Sequence, residues 1–103
     1  MKKKFAFLLM GAHYNTAAHA ACFETDNQLT QIVTVRDFDE ACQRVSELYR
    51  QGFGAIELCG AFGKEKAQAL AELTHHEVAI GYVVHEPELD GLFERFFGNT
   101  SNK

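Results

Sequence analysis

The 103-residue sequence has few of the features that mark secreted, membrane or nucleic-acid-binding proteins. Its three cysteines, Cys22, Cys42 and Cys59, form no C-x-x-C pair and no even set, which excludes a disulfide framework or cysteine zinc site as the expected organisation. Reduced thiols favour a cytoplasmic protein. Basic residues number 10 against 14 acidic ones, and three of the 10 are clustered at positions 2–4. No basic stripe is left for nucleic-acid phosphates, and no apolar run reaches the roughly 18 residues of a membrane span.

The composition that remains is that of one globular domain. Hydrophobic residues make up 47% of the chain, with nine phenylalanines, one proline and no tryptophan. A chain of this size buries roughly 65% of the surface that its unfolded form exposes, enough for one core. We therefore predict a single domain over residues 1–98 and a loose tail at 99–103. Any site should be shallow or shared between subunits.

The N-terminal region has two interpretations. Three lysines, the apolar run Phe5–Ala12 and the small residues Ala18–Ala20 are compatible with a secretory signal that ends at an A-x-A cleavage site. The run is short for a signal core, however, and is interrupted at His13 well before that site. An apolar segment such as Phe5–Met10, closed by Gly11, is typical of a strand buried on both faces, and we favour this interpretation.

The rest of the chain alternates between strand and helix patterns. The predicted elements are strands over Thr30–Val35, Ala55–Cys59 and Val78–Val84, and helices over 37–51, Lys64–Leu73 and Pro87–Phe97. Asp37 and Glu40 have capping-box spacing at the start of the first helix. Residues 11–28 show no periodicity and are predicted to be a loop, in which Asn15 is a candidate cap for a short turn of helix through Ala17, Ala18 and Ala21. This alternation predicts a single-domain α/β sandwich with a mainly parallel sheet of four to five strands and three principal helices.

Side chains suited to chemistry follow the predicted strands. Because parallel strands end at the same edge, we expect these side chains to converge at the carboxyl edge of the sheet, the usual ligand edge of such folds. The candidate ligand-binding residues are Tyr14, Arg36, Gly60 and Gly63. The candidate catalytic residues are His13, Glu57, Cys59 and His85.

Glu57 lies within a predicted strand, where an unpaired buried carboxylate would be costly. Arg36, at the end of a neighbouring strand, is the expected partner. Two interpretations remain: a structural ion pair or hydrated carboxylate, and a catalytic acid or base.

The histidines and Cys59 also have two interpretations each. His13 and His85, with Glu57 or Glu86, would make a two-histidine, one-carboxylate metal set, or they would simply bond loop carbonyls. Cys59 would be a nucleophile with a histidine base, or an inert core residue. No local metal motif is present, so no metal or other cofactor is assigned.

The segment Gly60–Lys64 opens the second predicted helix with two glycines and a lysine. It is a candidate cradle for a carboxylate or phosphate, although it lacks the spacing of a P-loop. Lys64 and Lys66 oppose the helix dipole, which favours an anion there. The alternative is a tight turn that requires a positive φ. The apolar stripe of the last helix, around Phe93–Phe97, is typical of core or of a subunit interface.

Five stretches of the sequence resemble those of a known protein family. They are Phe5–Tyr14, Phe23–Thr25, Thr34–Arg36, Gly54–Gly63 and Val78–His85. Through them the chain resembles a family of uncharacterised bacterial proteins of about this length, classed as a domain of unknown function. The resemblance implies a cytoplasmic α/β protein and carries no activity with it.

Three functional hypotheses follow. The first is a homodimeric protein that binds a small anionic or polar metabolite at the carboxyl edge. The second is an enzyme that uses the same residues for proton transfer or metal-assisted chemistry. The third is an oligomeric interaction protein without a small-molecule ligand, in which the last helix and the 11–28 loop serve subunit contacts.

Overall fold

The computed structural model of the protein describes residues 2–98, so the predicted tail at 99–103 lies outside the described residues. Within residues 2–98 the chain forms five strands, three α-helices and one 3-10 turn. The strands are β1 (Lys3–Met10), β2 (Ala21–Glu24), β3 (Gln28–Val35), β4 (Ala55–Leu58) and β5 (Ala79–Tyr82). The helices are α1 (Phe38–Arg50), α2 (Gly63–Leu73) and α3 (Asp90–Phe97), and the 3-10 turn is Pro87–Leu89.

The strands form one sheet in the order β2-β3-β1-β4-β5. β1 lies at its centre and pairs in parallel with both β3 and β4, with Phe5 opposite Thr30 on one side and Ala55 on the other. β5 continues the parallel sheet beyond β4. The predicted α/β class, the mainly parallel sheet and the three helices are confirmed, and the N-terminal apolar run is the central strand.

β2 corrects the prediction of a loop over residues 11–28. It pairs with β3 antiparallel, with Ala21 opposite Ile32 and Glu24 opposite Leu29. All four of its residues are exposed at the edge of the sheet. A strand this short, with no buried side, carries neither the apolar run nor the alternation from which a strand is predicted. The Asn15 side chain accepts the N–H groups of Ala17 and Ala18, as expected of a cap, but the turn that follows does not become a helix, and Ala21 is the first residue of β2.

The core lies between one face of the sheet and the helices α1 and α2. Its fully buried large side chains come from the central strands and from both helices: Leu8, Val45, Leu48, Ile56, Leu58 and Leu70, with Thr74 beside them. Burying each leucine or isoleucine contributes about 1.5–3 kcal/mol. Both crossovers, from β3 to β4 and from β4 to β5, run in the same direction across the sheet. Right-handed connections therefore place α1 and α2 on the same side.

The opposite side of the sheet has no helix packed on it among residues 2–98, and we call it the open face. Its side chains alternate with those of the core and include Phe5, Phe7, Leu9 and Ile32, all partly exposed. The loop after β1 covers only one end of the open face, where the Thr34 hydroxyl donates to the carbonyl of His19.

α1 begins at a reciprocal set of hydrogen bonds. The Asp37 carboxylate accepts the N–H of Glu40, as the predicted capping box requires. The Glu40 carboxylate reaches one residue further back than in the standard box. It accepts the N–H of Arg36 at 2.8 Å and two guanidinium bonds from the same residue. The helix ends before Gly52, whose φ of +91° suits a glycine.

The last segment of the described chain, residues 83–98, extends from the body, and we call it the arm. It comprises the end of the predicted fourth strand, the 3-10 turn and α3. Every residue of the arm is exposed, and α3 makes its main contacts with the 3-10 turn rather than with a strand or another helix of residues 2–98. The predicted α3 is confirmed, and it does not belong to the core of its own chain. No helix within residues 2–98 has the length and apolar character needed to cross a bilayer.

Removal of the Asp37 cap should destabilise the fold. Asp37→Ala leaves the N–H of Glu40, in the first turn of α1, without its side-chain acceptor, at a cost of about 1 kcal/mol, or about 5 °C in Tm. The matched control, Asp39→Ala, removes an equal charge from the same turn without removing a cap. Thermal unfolding checks both variants, and equal losses of Tm would contradict the assigned cap.

The contact between Arg36 and Glu40 should be visible in the titration of Glu40. The guanidinium hydrogen bonds of Arg36 hold the pKa of the Glu40 carboxyl below its ordinary value. Because this pKa is lowered on folding, the contribution to stability is present above the unfolded pKa and is lost as pH falls through the folded pKa. Carbon-detected NMR of the side-chain carboxyl should show the pKa of Glu40 rising in Arg36→Ala. Arg44→Ala, which removes the partner of Glu47, should leave the Glu40 titration unchanged.

Candidate functional site

The starts of α1 and α2 meet at the carboxyl edge of the sheet. β3, β1, β4 and β5 are parallel, so their carboxyl ends share that edge. α1 begins three residues after β3, and α2 begins five residues after β4. Because β1 lies between β3 and β4, the segment that follows it leaves the sheet between the strands that lead into the two helices.

A groove of about 500 Å³ opens at this edge between the first turns of α1 and α2. Its lining residues are Phe38 from α1 and Phe62, Gly63, Lys64, Glu65, Lys66 and Ala69 from the start of α2. We call it the edge groove. Its volume lies in the range of small-molecule sites, about 300–1,000 Å³. The Lys66 ammonium lies 5.9 Å from the centre of the Phe38 ring, a cation–π contact across the groove.

The two helix N-termini differ in charge. α1 has its own carboxylates, with Asp37 as the cap and Asp39 and Glu40 in the first turn. α2 has no side-chain cap, and Lys64 and Lys66 flank its single first-turn acid, Glu65. Cations at a helix N-terminus are unfavourable unless a negative group is nearby. The start of α2 therefore has a local electropositive character that α1 lacks.

The glycines of the turn before α2 have separate roles. Gly63 has a φ of +76°, a conformation that L-residues with side chains rarely adopt. The predicted tight turn is confirmed there. Gly60 has no positive φ, and a β-carbon built on it would lie 3.9 Å from the Val83 carbonyl oxygen, an ordinary contact. The segment Gly60–Lys64 therefore contains a tight turn at Gly63, and Gly63 also lines the edge groove.

His13 and Tyr14 fold back over the end of β1. Their rings lie 4.5 Å apart, and a β-carbon at Gly11 would come within 2.8 Å of the His13 ring. Tyr14 also contacts His19 edge to face, at 5.9 Å between ring centres. The His19 ring nitrogen Nδ1 accepts the N–H of Asn15, which fixes it within the loop. The three rings form an aromatic group at the carboxyl end of the central strand, in which both histidines are exposed and Tyr14 is half-buried.

Cys59 lies directly after β4 and is partly buried. Its sulfur accepts the backbone N–H of Met10 at 3.4 Å, and its side chain packs against the core. The contact joins the ends of β1 and β4. Cys42 lies on α1, where burial raises the pKa of its thiol. Cys22 lies exposed on β2.

The predicted ion pair between Arg36 and Glu57 is wrong. Arg36 binds Glu40, its neighbour one helical turn away, at 2.8 Å. Glu57 is exposed on the open face, and its carboxylate lies over Gly81, where a β-carbon would collide with it. The period-two pattern placed Glu57 on one face of β4, but it could not show that this face lacks a covering layer. An exposed carboxylate needs no buried partner.

His85 belongs to the arm. Its ring stacks on Phe93, with the ring centres 3.9 Å apart, and its Nδ1 lies 3.0 Å from the Asp90 carboxylate. No cluster of three His, Cys, Asp or Glu side chains able to hold a metal forms within residues 2–98. The structure does not assemble the two-histidine set. Of the predicted site residues, Gly63 lines the edge groove.

Some of the other residues that line the edge groove could be predicted from the sequence. Lys64 and Lys66 were predicted to favour an anion because they oppose the helix dipole, and both line the edge groove. Phe38 was missed because it fits the apolar stripe of α1 and reads as core. Its position in the first turn leaves it half-buried, so one side of the ring faces the groove.

A second groove of about 510 Å³ lies between α1 and the β2–β3 edge, because β2 extends the sheet beyond the helix. Its charged side chains are Glu40, Arg44 and Glu47. Glu40 is paired with Arg36, and Arg44 with Glu47 at 3.0 Å. These pairs leave little unbalanced charge for a ligand, so the edge groove is the better candidate site.

The comparisons with known proteins identify the chain by family alone. No curated protein and no solved structure matches it. One family model, described as a family of unknown function (DUF6506), matches residues 3–98. That match covers every strand and helix described above, including the arm. The chain therefore belongs to the family of unknown function DUF6506.

Proposed function

We propose that this protein binds a small anionic metabolite in the edge groove. The observation that carries the proposal is the combination, in one groove at the carboxyl edge, of two lysines with a helix N-terminus that no side chain caps. Parallel α/β sheets bind their ligands at this edge. A carboxylate or phosphate would balance the second lysine, because Glu65 supplies one negative charge against the two positive charges of Lys64 and Lys66.

The chemistry of the groove suits a ligand with two parts. Backbone N–H groups of the first turn of α2 and the ammonium groups of Lys64 and Lys66 favour an anionic group. Phe38, which is half-buried, offers an apolar surface to the rest of the ligand. Small-molecule sites typically combine an apolar lining with a few polar groups that fix orientation.

The aromatic group after β1 supports a polar ligand as well. His13 is exposed and Tyr14 is half-buried at the end of the strand that lies between the two helix starts. A ligand longer than the groove would extend toward these rings. Imidazole and phenol groups would donate hydrogen bonds to its oxygen atoms.

Inorganic phosphate is the minimal probe of this site. In an NMR titration of ¹⁵N-labelled protein, we expect saturable shifts of the amides of residues 60–66. Lys64→Ala should weaken phosphate binding about fivefold, because one exposed ionic contact contributes about 1 kcal/mol. Lys64→Arg should retain most of the affinity, because it keeps the charge.

The matched control is Arg50→Ala, which removes an equal charge from the exposed C-terminal turn of α1. It should leave the phosphate affinity unchanged. Equal weakening by Lys64→Ala and Arg50→Ala would show that the ion responds only to net charge. Shifts that do not saturate, or that centre on residues outside the edge groove, would also contradict the proposed site.

A further inference from the structure

The arm carries an apolar surface that is largely exposed within the described residues 2–98. Leu92, Phe93, Phe96 and Phe97 lie on α3 and are between 39% and 76% exposed. With about 200 Å² for a whole aromatic side chain, they leave roughly 450 Å² of apolar surface in solvent. A patch of this size on a soluble domain marks an interaction site.

The arm is held in its conformation mainly by contacts between its own residues. The His85 ring stacks on Phe93, and the rings of Phe96 and Phe97 meet edge to face at 4.8 Å. The contact between His85 and Asp90 ties the start of the arm to the first turn of α3. An element that already holds its bound conformation loses less entropy when it docks.

The arm also extends away from the sheet of its own chain. The longest dimension of the molecule is 47 Å, against 28 and 25 Å for the other two. The radius of gyration is 14.5 Å, whereas a domain of this length ordinarily has about 13 Å. The arm follows β5, the outermost strand, so its position at the periphery leaves it accessible to another molecule.

The open face is the matching surface on the body of the domain. Parallel sheets are ordinarily covered on both faces, and the helices of residues 2–98 cover a single face of this one. Phe5, Phe7, Leu9 and Ile32 form an apolar centre that spans β1 and β3. An eight-residue helix is about 12 Å long, and β3 to β4 spans about 10 Å, so α3 is long enough to cross the central strands.

Both surfaces carry charges of both signs. Lys3 has the same strand parity as Phe5 and Phe7, which places it at the amino end of the open face. The arm is acidic, with Glu86, Glu88, Asp90 and Glu94 against the single cation Arg95. Within residues 2–98 the open face carries one lysine, Lys3, and one exposed carboxylate, Glu57, so Lys3 is a partner for the carboxylates of the arm and Glu57 is a partner for Arg95.

We propose that two copies of this protein exchange their arms, with α3 of each copy packed on the open face of the other. The exchange is reciprocal, so it forms a closed two-fold dimer and not an open chain. Both apolar surfaces are on the same polypeptide, and one arrangement covers both. The two arms and the faces that they cover would bury more than the roughly 1,200 Å² that a specific interface needs.

The first test is the mass of the protein in solution, by sedimentation equilibrium at micromolar concentration. The wild type should be a dimer. Phe96→Asp on the arm and Ile32→Asp on the open face should each raise the dimer dissociation constant about 100-fold. Leu73→Asp is the matched control, because Leu73 is an exposed apolar residue on α2, on the other side of the sheet. It should leave the dimer intact.

The decisive experiment mixes the two variants. A heterodimer of Phe96→Asp with Ile32→Asp retains one wild-type arm on one wild-type face. The mixture should therefore associate more tightly than either variant alone. Thr30→Glu repeats the open-face test at a position that is already polar, in case Ile32→Asp fails to fold. Far-UV circular dichroism confirms that each variant is folded.

Three results would overturn the proposal. A monomeric wild type at these concentrations would show that no second copy covers the arm. Loss of the dimer in Phe96→Asp but not in the folded open-face variants would show that the arms pack on each other. A mixture no tighter than its components would exclude the exchanged arrangement. None of these results bears on phosphate binding at the edge groove.

Discussion

The packing of β1 between β3 and β4 is the constraint on which the rest of the structure depends. Ala6 and Leu8 are fully buried beneath the helices, and each strand pairing fixes the register of a neighbour against them. Because side chains alternate along a strand, that register assigns one set of residues to the core and the other to the open face. It also aligns the carboxyl ends of the parallel strands. The starts of α1 and α2, and the edge groove between them, occupy positions set by this central strand.

The same constraint has a second consequence. Crossovers that run in one direction put α1 and α2 on one side, so no helix of residues 2–98 covers the strand residues that alternate with the core. The described part of the chain then ends with the amphipathic helix α3, which makes its main contacts with the 3-10 turn and not with the sheet. The sheet has an apolar face without a helix, and α3 has an apolar side without a packing partner among residues 2–98. Their mutual coverage between two copies would complete the layered architecture that α/β domains need for a continuous core.

The elements of the fold were predictable from sequence because their signals are local. The apolar run of β1, the Asp37 cap and the apolar stripe of α1 each identify an element without knowledge of its neighbours. β2 gave no such signal, because a short exposed strand exists only through its pairing with β3. The site was harder to predict. Arg36 was assigned to Glu57 across the sheet, but Glu40 competes for it from one helical turn away, and a local partner costs less chain entropy. The two lysines of α2 were recognised, whereas Phe38 became a lining residue only once the helices were placed side by side. No periodicity could show whether the stripe of α3 faces its own core or another molecule.

The central claim is that α3 of one copy lies on the open face of another, and site-specific photocrosslinking tests it most directly. Benzoylphenylalanine in place of Phe96 preserves an aromatic side chain at the most exposed position of the stripe. The labelled chain is mixed with a ¹⁵N-substituted copy that carries the natural residue, so mass spectrometry distinguishes crosslinks within and between chains. The account predicts crosslinks between chains to peptides of β1 and β3 that contain Phe7 or Ile32. Crosslinks confined to one chain, or crosslinks from arm to arm, would contradict it.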